Sequence, residues 1–140
     1  MTDISITSTT KQVENRSWLL SPHGTDPGTT PSVTLDVSLF VAGTHYPNGY
    51  IPSGTAIAKV TATGLWGPAD STASDGRQTW ADDSVGLLFS TVGVRTGATK
   101  IGSARLVHGF VNPAKLPFAS GAGGATTAVK TALRLIHFSA

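Results

Sequence analysis

What the sequence lacks already excludes several kinds of site. It contains no cysteine, so neither a disulfide nor a thiolate metal site can form, which suits a reducing compartment. Its 10 lysines and arginines are scattered singly and the net charge is only +2, whereas phosphate binding needs clustered positive charge. No stretch approaches the ~18 apolar residues of a membrane span. We therefore expect neither a nucleic acid nor a membrane as a partner.

Charged residues, which usually cover helix surfaces, are also scarce, at 13% of the 140 residues. Threonine, serine, glycine and proline are abundant, with 20, 14, 16 and 8 copies. Because threonine favours strands and because glycine and proline favour turns, an all-helical protein is excluded. The aliphatic and aromatic residues are enough to build one core. The composition therefore predicts one domain that is mainly β.

Residues 1–31 differ from the rest of the chain. The segment Ile4-Ser5-Ile6-Thr7 alternates apolar and polar side chains, and Trp18-Leu19-Leu20 forms a second apolar cluster. Three prolines and two glycines then fall within residues 21–31 and exclude regular structure there. We interpret residues 1–31 as an extended N-terminal arm and residues 32–140 as the β-rich domain. A disordered tail is the alternative, although such a tail has no need of a Trp-Leu-Leu cluster.

Apolar runs predict the secondary structure of the domain. Strands are expected at residues 33–39, 55–60, 85–92, 101–111 and 135–138. One short helix is expected over residues 125–133, where four apolar side chains share a face. The turn-rich residues 64–83 predict a long loop that carries Trp66 and Trp80. The glycine-rich residues 121–124 predict a flexible connector before the helix.

No motif in the chain predicts catalysis or a cofactor. The four histidines lie far apart in sequence and in no ligand spacing. Residues 121–124 are not followed by the lysine of a phosphate loop, and the acids of residues 70–83 lack the order of calcium ligands. No serine-hydrolase elbow is present, and Asp82 and Asp83 would point in opposite directions in an extended segment. We expect no catalytic, cofactor-binding or metal-binding residue and no enzyme activity.

Several short segments follow one another in a characteristic order between residues 34 and 138. They are Thr34-Leu35-Asp36 after the arm, Ile51-Pro52-Ser53-Gly54-Thr55 before a strand, Ser74-Asp75-Gly76-Arg77 before Val85-Gly86-Leu87-Leu88, and Leu116-Pro117 before the helix and the final Leu135-Ile136-His137-Phe138. This ordered set resembles the head decoration proteins of tailed bacteriophages, of the lambda-like group. The arm and the loop at residues 64–83 are longer than in the lambda-like pattern.

The resemblance implies a small β-tulip-like, barrel-like domain with a single helix. It also implies a protein that is made in the bacterial host cytoplasm and forms a homotrimer on the outer capsid surface of the virion. Such proteins bind the major capsid protein at three-fold and quasi-three-fold positions after the shell expands, and they stabilise the head. The residues of the arm that we expect to bind the capsid are Ile4, Ile6, Thr7, Trp18, Leu19 and Leu20.

Two further expectations concern the aromatic residues. Homotrimerisation is expected because a core of this size is too small to bury four of them alone, namely Trp66, Trp80, Phe110 and Phe118. A carbohydrate-binding or adhesin module on a virion surface is the alternative function, because exposed aromatic rings stack on sugars. The rings considered for that role are Trp66, Trp80, Tyr46 and Tyr50.

Overall fold

The computed structural model describes residues 14–26, 28–80 and 84–139, and within them the fold is built mainly from strands. The nine strands are β1 (Ser32–Asp36), β2 (Tyr50–Ile51), β3 (Ala56–Lys59), β4 (Trp66–Pro68), β5 (Val85–Leu88), β6 (Val92–Gly93), β7 (Lys100–Leu106), β8 (Gly109–Val111) and β9 (Ile136–Phe138). Five of them close into a barrel in the order β1-β4-β3-β5-β7. The expected small, mainly β domain is confirmed.

The barrel closes through β1, which pairs with a different neighbour on each side. Along β7 it is antiparallel, from Ser32 opposite Ala104 to Asp36 opposite Lys100. On the other side it meets β4 in parallel at one pair, Leu35 opposite Trp66. Two smaller sheets, antiparallel β2–β6 and parallel β8–β9, complete the strand pairing of the described residues. The parallel contacts join segments that are distant in sequence.

Short helices lie between the strands. The expected late helix is present as α2 (Thr127–Ala132), and the Thr126 side chain caps its first turn by accepting from the Val129 amide. A second helix, α1 (Ala42–His45), was not expected, because a single turn that contains a glycine gives no periodic signal. The expectation of one helix is therefore corrected to two. No helix in the described ranges is long and apolar enough to cross a membrane.

Two hydrophobic clusters share the central strands. On β3, Ala56 and Ala58 belong to one cluster and Ile57 to the other, as the alternation of side chains along a strand requires. The first cluster also receives Trp18, β8, α2 and β9, and its fully buried members include Trp18, Leu87, Leu106, Val111 and Val129. The second is formed around β1, β4 and the end of β5 by Leu35, Ile51, Trp66 and Leu88. Strand β3 is therefore buried on both faces.

The segment at residues 64–83 is not one uninterrupted loop. It contains β4, in which the Trp66 side chain is buried in the second cluster. Glycine is favoured at position 67, because a Cβ would lie 2.7 Å from Leu39 Cδ1 and 2.9 Å from Leu39 Cβ. A three-residue strand made of Trp-Gly-Pro carries the turn signals of a loop, so the sequence pattern pointed away from it. The expectation of a continuous loop is corrected accordingly.

The connector before α2 is built into the core. The Gly123 amide donates to the Ala69 carbonyl at 2.9 Å, and the Ala56 amide donates to the Gly123 carbonyl at 2.8 Å. Gly123 has φ +82°, and a Cβ there would lie 3.1 Å from the Thr55 methyl group. Glycine is needed at this position for close approach rather than for flexibility. The expectation of a flexible connector is wrong for this reason.

Candidate binding surface

The Trp18 side chain belongs to the core of the domain. It is 1% exposed, and its Nε1 donates to the Ser53 Oγ at 3.2 Å. The Asn112 amide donates to the Trp18 carbonyl at 2.8 Å, so the backbone is fixed as well. Its aromatic group is therefore not available to a capsid subunit. The interpretation of Trp18 as a free anchor is corrected, because the partners that bury it lie far away in the sequence.

Leu19 and Leu20 continue the backbone contact but face opposite sides. Leu19 forms an antiparallel bridge with Val111 and packs against the first cluster. The Leu20 amide donates to the Phe110 carbonyl at 3.0 Å. Successive side chains of an extended segment alternate, so Leu20 lies outside, opposite Phe110. Leu20 is 46% exposed and Phe110 is 40% exposed. We call these two residues the Leu20–Phe110 pair.

The residues before Trp18 are also bonded to the body. Arg16 Nε donates to the Phe89 carbonyl at 2.9 Å, and its guanidinium carbon lies 4.2 Å from the centre of the Phe89 ring. Glu14 Oε2 accepts from the Thr91 amide at 2.8 Å. We call residues 14–20 the strap. Sequence reasoning did not single out Glu14 or Arg16, because an isolated charged residue in a polar segment carries no pattern.

The remainder of the expected arm falls into two parts. Ile4, Ile6 and Thr7 lie outside the described residues. After the strap, the proline-rich segment follows the surface of the body in turns rather than in a strand or helix: the Thr25 amide donates to the Pro22 carbonyl at 3.1 Å. Its end is fixed where the Arg105 amide donates to the Pro31 carbonyl at 3.0 Å. The composition change at residue 31 therefore does not coincide with a break in packing.

Two of the four histidines come together although they are 85 positions apart. His23 Nε2 and His108 Nε2 lie 2.8 Å from each other. The ring of Phe110 on β8 lies 5.9 Å from the ring of His23 and 5.7 Å from the ring of His137 on β9. The histidine pair therefore borders the Leu20–Phe110 pair. Within residues 14–26, 28–80 and 84–139, no group of three or more metal-ligating side chains forms.

His45 is isolated from the other histidines and is 1% exposed. The Val41 amide donates to its Nδ1 at 2.9 Å, and its Nε2 lies 2.9 Å from the Ala122 carbonyl oxygen. A carbonyl oxygen only accepts, so the proton of the ring is on Nε2. Phe40 and Phe118 contact the ring edge to face on either side. His45 therefore holds α1 against the glycine connector.

A cavity of about 280 Å³ lies between α2 and the segment after β4. Its wall includes Ala69, Asp70, Thr72, Trp80, Gly121 and Thr126. The Asp70 carboxylate accepts from the Thr72 hydroxyl at 2.7 Å and from the Thr72 amide at 2.9 Å. These two bonds hold the pKa of Asp70 below its usual range. The cavity thus presents one indole ring and one ionised carboxylate.

The aromatic residues differ in how far their side chains are exposed to a sugar or to a partner chain. Trp66 is 5% exposed in β4, so it can neither stack on a sugar nor require a partner chain for burial. Trp80 is half-buried against the first cluster, and Phe118 is half-buried beside His45. Of the four residues thought too many for one core, Phe110 is the one that stays exposed. Asp82 and Asp83 lie outside the described residues.

Comparisons of the chain with protein-family models, with curated proteins and with solved structures found no match.

Proposed function

We propose that this chain is a capsid decoration protein that binds the outer surface of an expanded bacteriophage head and stabilises it. The ordered segments of the sequence support this proposal, and so does the small β-rich body. The observation that carries it is the Leu20–Phe110 pair, two exposed large apolar residues whose backbones are joined where the strap runs beside β8. Adjacent exposed apolar groups are typical of a surface that binds another protein.

The attachment of the strap favours such a role for the pair. Leu20 is preceded by buried Trp18 and by Arg16, which is bonded to Phe89, so its backbone is ordered before any partner arrives. Binding then costs little further conformational entropy at this point. An aromatic side chain that a partner buries is a common anchor of a binding hot spot, and Phe110 is the aromatic member of the pair. The pair therefore takes the place that we had expected Trp18 to fill.

The proposal retains the first part of the arm as a second contact. Ile4, Ile6 and Thr7 precede Glu14, which is fixed to the body by Thr91. An extended chain spans roughly 3.3–3.6 Å per residue, so 13 residues reach about 43–47 Å. We propose that the alternating segment adds a strand to an edge of the major capsid protein. Strand addition relies on backbone hydrogen bonds and therefore requires little of the sequence.

The same proposal includes homotrimers at the three-fold and quasi-three-fold positions of the virion. Repeated weak contacts on a symmetric shell add up to strong retention, even where each contact is small. Phe110 is the exposed aromatic group whose burial a neighbouring chain or a capsid subunit would provide. No chemistry at a catalytic site is needed for this function.

Co-sedimentation with expanded heads tests the role of the pair. The double variant Leu20→Ser and Phe110→Ser should lose at least about tenfold in affinity, since two large apolar groups leave the interface. Val41→Ser is the matched control, because Val41 is an apolar side chain that is 58% exposed elsewhere on the body. Equal retention of the double variant and the control on the heads would refute the proposed contact.

A carbohydrate-binding module is the second candidate, and the cavity beside Trp80 is the observation that favours it. An indole ring next to a carboxylate is a combination that stacks on a sugar and accepts from its hydroxyls. A glycan array would detect such binding. If this function is correct, Trp80→Ala abolishes binding and Phe110→Ala leaves it unchanged. An empty array, or signals that Phe110→Ala removes and Trp80→Ala does not, would exclude the cavity as a sugar site.

A further inference from the structure

The histidine pair arises from two identical dipeptides that meet back to back. His23-Gly24 lies in the turns after the strap, and His108-Gly109 lies at the start of β8. Gly24 has φ +89°, and a Cβ there would overlap the His108 carbonyl. Gly109 has φ +148°, and a Cβ there would lie 3.0 Å from the His23 carbonyl oxygen. Both glycines are therefore needed for the backbones to approach.

This close approach brings two imidazole nitrogens to one point on the surface. His23 Nε2 and His108 Nε2 are 2.8 Å apart, and the ring planes are inclined by 65°. The contact is exposed, so an ion could reach it from water. In the neutral pair one Nε2 donates a hydrogen bond and the other accepts it. The same two nitrogens could instead both donate their lone pairs to a metal ion.

The separation of the nitrogens selects among metal geometries. A metal–nitrogen bond of about 2.0 Å places two cis nitrogens about 2.8 Å apart at a right angle. A tetrahedral angle with the same bond length separates them by about 3.3 Å. Right angles between nitrogen ligands are typical of square-planar or tetragonal copper(II) and nickel(II), whereas zinc prefers the tetrahedron. The 2.8 Å between the two nitrogens is the length of their hydrogen bond, and it equals the separation that a right-angled pair of ligands requires. The exposed rings therefore need only turn, without backbone movement, for both lone pairs to face an ion.

We propose that His23 and His108 form a two-imidazole site for a copper(II) or nickel(II) ion, with water in its other coordination positions. The site can be tested separately from the proposed capsid function, because neither histidine belongs to the Leu20–Phe110 pair, although the His23 ring lies 5.9 Å from that of Phe110. Copper is expected to bind more tightly than nickel or zinc, following the general order for nitrogen ligands. Metal binding breaks the hydrogen bond between the rings. The ring that donated moves its proton from Nε2 to Nδ1 through water, so that both Nε2 lone pairs are free for the ion.

Copper titration of the full chain tests the proposal directly. Wild-type protein should bind one equivalent of Cu²⁺ at this site, and its electron paramagnetic resonance spectrum should show a tetragonal ion coupled to two imidazole nitrogens. His23→Gln and His108→Gln should each weaken binding at least about tenfold, because one imidazole replaces a two-imidazole chelate. His137→Gln is the matched control, since His137 is an exposed ring on the same surface. It should leave the affinity unchanged.

Other results would overturn the site. A spectrum with one coupled imidazole in the wild type contradicts it without the use of any variant. So does tight binding that persists in both His23→Gln and His108→Gln, or that His137→Gln removes equally. Thermal unfolding of each variant without metal shows whether the body is still folded, so that a lost ligand is distinguished from a lost fold.

Discussion

At the scale of single residues, Trp18 joins the strap to the core. Its side chain is 1% exposed and its indole donates to Ser53. Replacing a buried tryptophan by alanine removes a large apolar surface and leaves a cavity, which costs about 3–5 kcal/mol. We therefore expect Trp18→Ala to lower the free energy of unfolding by that amount, and urea denaturation measures it.

Leu20→Ala is the control for that measurement, because Leu20 is 46% exposed two positions away. Surface substitutions usually change the free energy of unfolding by less than about 0.5 kcal/mol. If Trp18→Ala and Leu20→Ala shifted the urea midpoint equally, the assignment of Trp18 to the core would be incorrect.

Asp70 gives a prediction about pH. Donation by the Thr72 hydroxyl and amide holds the pKa of Asp70 below the ordinary value for aspartate, about 3.9. The native state then binds fewer protons than the unfolded chain, so stability rises with pH in the acid range. The contribution of Asp70 is full above the unfolded pKa and is lost as pH falls through the lowered native pKa. Asp70→Asn should flatten this part of the profile.

Urea denaturation between pH 2 and pH 6, an interval around the ordinary aspartate pKa of about 3.9, measures the effect of Asp70. Thr72→Val keeps the carboxyl group but removes the hydroxyl donor, so its slope should fall between those of the wild type and Asp70→Asn. A profile for Asp70→Asn that is parallel to the wild type throughout would show that Asp70 does not contribute.

The residue scale also shows where sequence reasoning stops. The sequence showed that Trp18, Leu19 and Leu20 are apolar, but it did not show which of them would be buried and which exposed. The position of each side chain depends on a partner that is far away in sequence, such as Ser53 for Trp18 and Phe110 for Leu20. The same is true of the His23 and His108 pair, which is built by a meeting of two loops. A residue type predicts what a side chain can do, and tertiary contacts decide where it does it.

At the scale of secondary-structure elements, local patterns predicted most of the fold. The alternation that predicted a strand at residues 33–39 corresponds to β1, although the strand ends at Asp36 and a 3-10 turn follows. The apolar run at residues 85–92 was expected as one strand, but the structure divides it between β5 in the barrel and the first residue of β6, which pairs with β2 in another sheet. Strand β4 was missed because its three residues carry turn signals, and α1 because it is one turn long. Periodicity needs more residues than these elements have.

The glycine connector gives the prediction at this scale. A Cβ on Gly124 would lie 2.5 Å from the Ser120 carbonyl oxygen, so Gly124→Ala forces backbone movement just before α2. We expect a loss of about 1–3 kcal/mol in the free energy of unfolding, the usual cost of overpacking. Gly102→Ala in β7 is the matched control, because nothing lies within 4 Å of its Cβ position. It should be neutral or slightly stabilising.

Thermal and urea unfolding of the two glycine variants test whether the connector is a fixed part of the core. Equal stability of Gly124→Ala and Gly102→Ala would mean that the connector can shift without cost, as a flexible segment would. The expected difference would mean that the connector is part of the core that positions α2 and the wall of the cavity.

At the scale of the whole molecule, composition predicted the fold class but not the closure of the barrel. That closure depends on β1, which pairs with β7 near the other end of the chain and with β4 through Leu35 and Trp66. Nothing local to β1 identifies these neighbours, since pairing of this kind is set by the packing of all five strands. The Leu20–Phe110 pair could not be predicted for the same reason, because it forms only where the strap lies beside β8.

The proposed assembly belongs to this scale as well. Phe110 and Leu20 are each exposed by more than a third in the single chain, and a symmetric arrangement on a shell would cover them repeatedly. Binding through an ordered strap predicts that the body keeps its structure on the capsid. We also expect the segment around Ile4–Thr7 to contribute to affinity as a second contact, which deletion of residues 1–13 would remove while leaving the strap in place.

The most direct test of the proposed function mixes the purified chain with expanded, undecorated heads and with unexpanded heads of the phage to which the proposal assigns it, and reconstructs both by electron cryomicroscopy. We predict trimeric density at the three-fold and quasi-three-fold positions of the expanded shell alone, with Leu20 and Phe110 buried against a neighbouring chain or a capsid subunit. Bare three-fold positions on expanded heads at saturating protein, or density in which the Leu20–Phe110 pair faces solvent, would contradict it.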